Sequence, residues 1–142
     1  MNNADWILKN AIVLTMDKDY RIFNPGAVAV VGDSIAAVGD QEQIEKDYQS
    51  GHVVDCQGKI LMPGLINAHT HVPMTLLRGL ADDLRLDVWL MGYMMPVERE
   101  FVSPEFVRLG TQLACAESIR SGVTTFVDMY YFEHDIAQAT AE

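Results

Sequence analysis

Two histidines, His69 and His71, close the run LMPGLINAHTH, which begins at Leu61 and is otherwise almost wholly apolar. Imidazole is the commonest side-chain metal ligand. On an extended strand, residues i and i+2 face the same side, so this pair aims together while Thr70 turns away. Rings about 6–7 Å apart along a strand can rotate toward one cation. Catalytic zinc takes three protein ligands and keeps a fourth position for water, so the pair is an incomplete site by itself. A buried strand that merely ends in two polar residues has the same spacing, and the spacing alone leaves both readings open. His52, beside Gly51, reads as a surface loop residue. His134, a few residues past a second apolar segment, reads as a helix-start or solvent residue that could still reach the same rim.

The elements that would position the pair follow from periodicity. Residues 1–60 read as short strands, with Gly32-Asp33 as a tight hairpin turn between apolar segments at 27–31 and 34–38. Residues 41–49, QEQIEKDYQ, suit one or two helical turns, and β character resumes at 53–56 and 59–62 across Gln57-Gly58. The expectation is a small antiparallel β unit, too small to bury both faces unaided. Residues 61–68 read as one strand covered on both faces in a parallel sheet. Ser103-Pro104-Glu105 starts a helix with a hydroxyl cap, a proline at the first helical position and an acid in the first turn. Phe106, Leu109, Leu113, Ala116 and Ile119 then form an apolar stripe, Gly122 ends the helix, and residues 123–129 form a second strand.

Strand, helix and strand make a βαβ unit with parallel strands. Between its first strand and its helix lie about thirty residues, 72–102, where ordinary connections take about 2–6. Long excursions at the carboxyl end of a parallel strand are where α/β enzymes build their sites.

Composition narrows the classes. The chain has 142 residues, 49% of them hydrophobic, and a net charge of −10, which fits a soluble globular protein and disfavours a nucleic-acid partner. The expectation is no membrane association, because the start carries no leader-like pattern and no run suits a membrane span. Cys56 and Cys115, with no CxxC, read as free thiols in a reducing cytoplasm.

PGLINAHTH after a series of small strands resembles the N-terminal signature of the amidohydrolase superfamily. The continuation HTHVPMTLLRGLADDLRLDVWL, with PVERE after it, is similar to the 5′-methylthioadenosine/S-adenosylhomocysteine deaminases, which stand near the triazine chlorohydrolases and guanine deaminases. HxH marks the superfamily at large, and residues 76–98 carry the likeness to adenosine-type deaminases. The resemblance implies an α/β architecture: the N-terminal portion of a TIM-like barrel plus part of a small β-sandwich. Residues 1–60 would belong to the sandwich, and residues 61–142 would hold the first two barrel strands, the long loop and the first crossover helix.

The resemblance further implies one divalent metal per complete subunit, zinc in most members and iron or another ion in some. His69 and His71 would be its first two ligands. Glu98 would grip the ribose hydroxyls of a small-molecule nucleoside, and Trp89 would help wall the pocket. Read without the family, Glu98 is a solvated helix residue and Trp89 a buried anchor of the loop. Arg78, Asp82 and Asp83 read as ion-pairing or capping groups, and Met74, Met91, Met94 and Met95 as apolar packing with a share in a thioether or ribose pocket.

The implied reaction is hydrolytic loss of ammonia from C6 of an adenine, by water made acidic at the metal. General acid and base groups and the remaining ligands would come from later barrel strands. The chain alone is therefore expected to be inactive and to need the C-terminal remainder of the enzyme, with a homo-oligomer left open. The competing readings are triazine dechlorination, guanine deamination, and a non-enzymatic α/β binding module whose histidines are structural.

Overall fold

Short β segments punctuated by glycine build the first part of the chain. The structure, a computed structural model, describes residues 1–142. It divides into two units, Met1–Pro63 and Gly64–Glu142. The first unit contains β1 (Asn2–Asn3), β2 (Trp6–Leu14), β3 (Ile22–Val31), β4 (Ser34–Asp40), α1 (Gln41–Asp47), β5 (Tyr48–Gln49), β6 (Val53–Asp55) and β7 (Ile60–Leu61). The sheet order is β4-β3-β2-β6, with β7 also on β2, while β1 pairs β5 separately.

The hairpin at Gly32-Asp33 joins β3 to β4 with Val31 opposite Ser34. Gly32 takes φ +60°, a conformation open to residues without a Cβ. Alternation along β3 splits the core. Ala27 and Ala29 pack with Ile7 and Ile44 on one face, and Val28 packs with Ala11 and Val13 on the other.

The expected all-antiparallel unit is corrected. β2, β3 and β4 are antiparallel, but β6 and β7 run parallel to β2. Because α1 intervenes after β4, the chain re-enters beside β2 in the direction β2 already has.

The second unit contains β8 (Leu65–Thr70), a 3-10 segment (Val72–Leu77), α2 (Leu86–Val88), a π-helical segment (Trp89–Met94), α3 (Met95–Phe101), α4 (Pro104–Arg120), β9 (Val123–Asp128) and α5 (Glu133–Ala141). β8 and β9 pair in parallel, from Leu65 opposite Val123 to Thr70 opposite Asp128. The single strand expected over 61–68 is in fact two. Ile60–Leu61 ends the first unit's sheet as β7, and β8 begins only at Leu65. Pro63 has no N–H to give a ladder. Gly64 lies so close to Thr124 that a Cβ there would sit 2.1 Å from its hydroxyl oxygen. Nor is β8 covered on both faces, since Ile66 is 69% exposed in a sheet of two strands.

Ser103 caps α4 as expected, its Oγ accepting from the Phe106 N–H at 3.2 Å. The buried face of that helix is not the expected stripe, however. Val107, Gly110, Thr111 and Ala114 are buried, whereas Leu109, Leu113 and Ile119 are exposed. Small residues decide the docking. A Cβ on Gly110 would lie 2.6 Å from the Pro73 carbonyl oxygen, so only glycine lets the 3-10 segment approach that closely. Val72, Val107, Ala114 and Ile136 form the resulting core, with Phe126 and Tyr130 packed against it.

Candidate functional site

His69 and His71 stand at the carboxyl end of β8, and the strand period brings their rings together. The centroids are 5.2 Å apart at an interplanar angle of 77°. The His71 Nδ1 bonds the Met129 carbonyl at 2.5 Å. A carbonyl only accepts, so Nδ1 carries the proton, and in the neutral ring Nε2 is then the free lone pair, the arrangement that outer partners impose on metal-binding histidines. The donor set and the fixed tautomer fit a borderline cation such as zinc. No third His, Cys, Asp or Glu gathers with the pair. His52 stacks on Trp6 at 4.8 Å in the first unit, and His134 lies exposed in the first turn of α5.

The end of β9 braces this corner through three consecutive residues. The Asp128 Oδ1 accepts from the Val72 N–H at 2.8 Å, fixing the residue after His71. Met129 supplies the carbonyl that holds His71. The Tyr130 hydroxyl donates to the Glu98 Oε1 at 2.8 Å, and its ring lies 6.2 Å from that of His71. Burial pushes the Asp128 carboxyl above its usual range, against the Val72 N–H, which favours the charged form. Its Oδ2 is buried without a partner. Burial, then the bond to Glu98, raises the Tyr130 phenol, so it stays a neutral donor.

Glu98 thus comes within one side chain of the histidines. It is half-buried on α3 and lines an open cleft of about 870 Å³ with Met91, Met95, Val102, Tyr131 and Phe132. Phe132 adopts φ +56°, a left-handed conformation that is strained for a bulky residue and common near working sites. Trp89 is half-buried at the start of the π-helical segment and does not line this cleft. Arg78 forms a two-pronged pair with Glu117 at 3.1 and 2.7 Å, in keeping with an ion-pairing role. Met94 is buried. Cys56 and Cys115 are free, and no helix is long and apolar enough to cross a membrane.

Asp128, Met129 and Tyr130 are what sequence reasoning missed. Their partners lie 56, 58 and 32 residues away, and Met129 acts through its backbone, so no local pattern marks them. The available signal was an aspartate and two tyrosines closing an otherwise apolar strand.

A histidine pair at the carboxyl end of a parallel strand, joined through Tyr130 to Glu98 in a cleft, stands where α/β enzymes build their sites. Residues 60–142 match the model of the amidohydrolase family. The chain belongs to that family. It is 52% identical to a 5-methylthioadenosine/S-adenosylhomocysteine deaminase of Syntrophobacter fumaroxidans, over 97% of this chain and 31% of that protein. The fold matches a zinc-bound adenosine deaminase from Xanthomonas campestris with a TM-score of 0.92 and 39% identity, covering 98% of this chain and 32% of that one. It also matches an atrazine chlorohydrolase from Arthrobacter aurescens, complexed with zinc, with a TM-score of 0.82. At 22% identity, over 96% of this chain and 33% of that one, the latter likeness concerns the fold alone. The chain spans about a third of the length of the relatives it matches.

Proposed function

We propose that this chain is the N-terminal part of a zinc-dependent deaminase acting on adenosine-type thionucleosides, with 5′-methylthioadenosine and S-adenosylhomocysteine as the substrate class. The supporting observation is the histidine pair, with its tautomer set by Met129, placed one side chain away from Glu98 in the cleft. The identities favour a deaminase over a triazine hydrolase, 52% and 39% against 22%. In this reading, residues 1–60 are part of a β-sandwich, and residues 61–142 open a TIM-like barrel whose later strands cover the exposed faces of β8 and β9. Free cysteines suit a cytoplasmic setting.

His69 and His71 would hold the ion through nitrogen. When bound, a divalent cation supplies Lewis acidity and brings a water's pKa toward neutrality. The chain's own residues bind and orient the substrate. The Glu98 carboxylate, acceptor-only when ionised, takes hydrogen bonds from two ribose hydroxyls. Met91 and Met95 give the cleft a soft apolar wall suited to a thioether.

Metal analysis of the full-length polypeptide, followed by ammonia-release assays on 5′-methylthioadenosine, S-adenosylhomocysteine, guanine and a chlorotriazine, tests this reading. One zinc per chain with turnover of the first two substrates supports it. Preference for guanine or chlorotriazine moves the protein to a different branch of the family. Metal-free protein with no turnover leaves a binding module.

A further inference from the structure

We infer that Tyr130 is a positioning residue that presents the Glu98 carboxylate to the sugar diol and ties it to the metal-holding strand end. This inference rests on the proposed deaminase reading. Glu98 stands on α3, a helix of seven residues, and takes part in no ion pair. With three rotatable bonds and a half-exposed setting, an unanchored glutamate would sample many positions before it met a ligand. The Tyr130 hydroxyl removes that freedom through its 2.8 Å bond to Oε1.

The tyrosine is itself held on several sides. Its ring packs on the core of Val72, Val107, Ala114 and Ile136, meets Tyr131 at 5.1 Å, and lies 6.2 Å from the His71 ring. Its backbone N–H donates to the Glu133 carboxylate at 2.6 Å. An ionised carboxylate offers about four acceptor directions. Tyr130 occupies one, which leaves Oε2 and the remaining Oε1 direction for two adjacent hydroxyls in a fixed orientation. One aromatic ring thereby bridges His71 and the Glu98 carboxylate, and freedom lost in the free protein is not lost again on binding.

Tyr130→Phe in the full-length, zinc-loaded enzyme removes the hydroxyl and keeps the ring on its core. Kinetics are read on 5′-methylthioadenosine and on its 2′,3′-dideoxy analogue, with Kd values of the matching inosine products from calorimetry. The ratio of kcat/KM for the ribose substrate to that for the dideoxy substrate should fall about tenfold, mainly through KM, the scale of one hydrogen bond to a charged group. The ribose product should weaken by a similar factor while zinc stoichiometry holds. In a cycle with Glu98→Gln, the double variant should lose little beyond Glu98→Gln alone. Equal losses on both substrates, additive losses in the cycle, or an unchanged ratio would overturn the role. Wild-type enzyme that deaminates no adenosine-type nucleoside would instead sink the deaminase reading, and this role with it.

Discussion

The two units bury their apolar residues in opposite ways. In Met1–Pro63, one sheet has apolar clusters on both faces, centred on Ala27 and Ala29 on one side and Val28 on the other. In Gly64–Glu142, burial lies among helices, and the two strands that carry the candidate chemistry expose Leu65, Ile66 and Val127. Both units carry surface ion pairs, such as Lys9–Glu45 in the first and Arg78–Glu117 in the second. The second has the histidines, the carboxylate of Glu98, and two buried polar atoms without partners, on Thr111 and Asp128. The candidate residues thus stand at strand ends and on the long loop rather than on the sheet with apolar clusters on both faces, which is where sites on α/β scaffolds are placed.

That division can be broken by substitution. Replacing His69 and His71 together with alanine in the full-length protein should abolish stoichiometric zinc and lower turnover on the order of a thousandfold or more. Atomic absorption and ammonia release would measure both, and survival of metal and activity would end the metal-site reading. Ile44→Ala, in the first unit, should cost about 2–5 kcal/mol of stability through its cavity while leaving substrate preference alone. A change in the ratio of activities on two nucleosides would show that the units do not divide the work this way.

Gly110→Ala should cost about 1–3 kcal/mol, because the new Cβ meets Pro73 backbone rather than a side chain able to swing aside. It should also lower kcat/KM, since Pro73 lies two residues beyond His71; denaturant melts and kinetics on the same sample would separate the effects. The smallest change is Asp17→Asn. Bonds from Arg21 and Thr15 hold the Asp17 carboxyl down to about 2 from an ordinary 3.8. A depressed acid stabilises the fold above its unfolded value and loses that contribution as pH falls through the folded one. The variant should therefore melt slightly lower at neutral pH, with the gap closing between about pH 4 and pH 2. A gap that persists there would point to a cause other than this charge.

Much of the framework was readable from local signals. The i, i+2 spacing predicted that His69 and His71 converge, and Ser103-Pro104 predicted the start of α4. What escaped was non-local. The burial of α4 is governed by Gly110 and Thr111, which carry little hydrophobic weight, and the larger Leu109 and Ile119 point outward. The parallel pairing of β6 and β7 with β2 depends on where the chain returns after α1, which strand propensity does not encode. Tyr130 and Glu98 are 32 positions apart and meet only after the loop between β8 and α4 has folded.

Asp128 and Tyr130 work through their side chains, whereas Met129 contributes a backbone carbonyl and leaves its own side chain 71% exposed. Under mutational drift, the contact from position 129 to His71 therefore survives any residue with an ordinary backbone, while the contacts of its neighbours depend on their side chains. An inserted or deleted residue at that point is another matter. It would move all three contacts out of phase at once, so the tripeptide tolerates changes of letter and forbids changes of length.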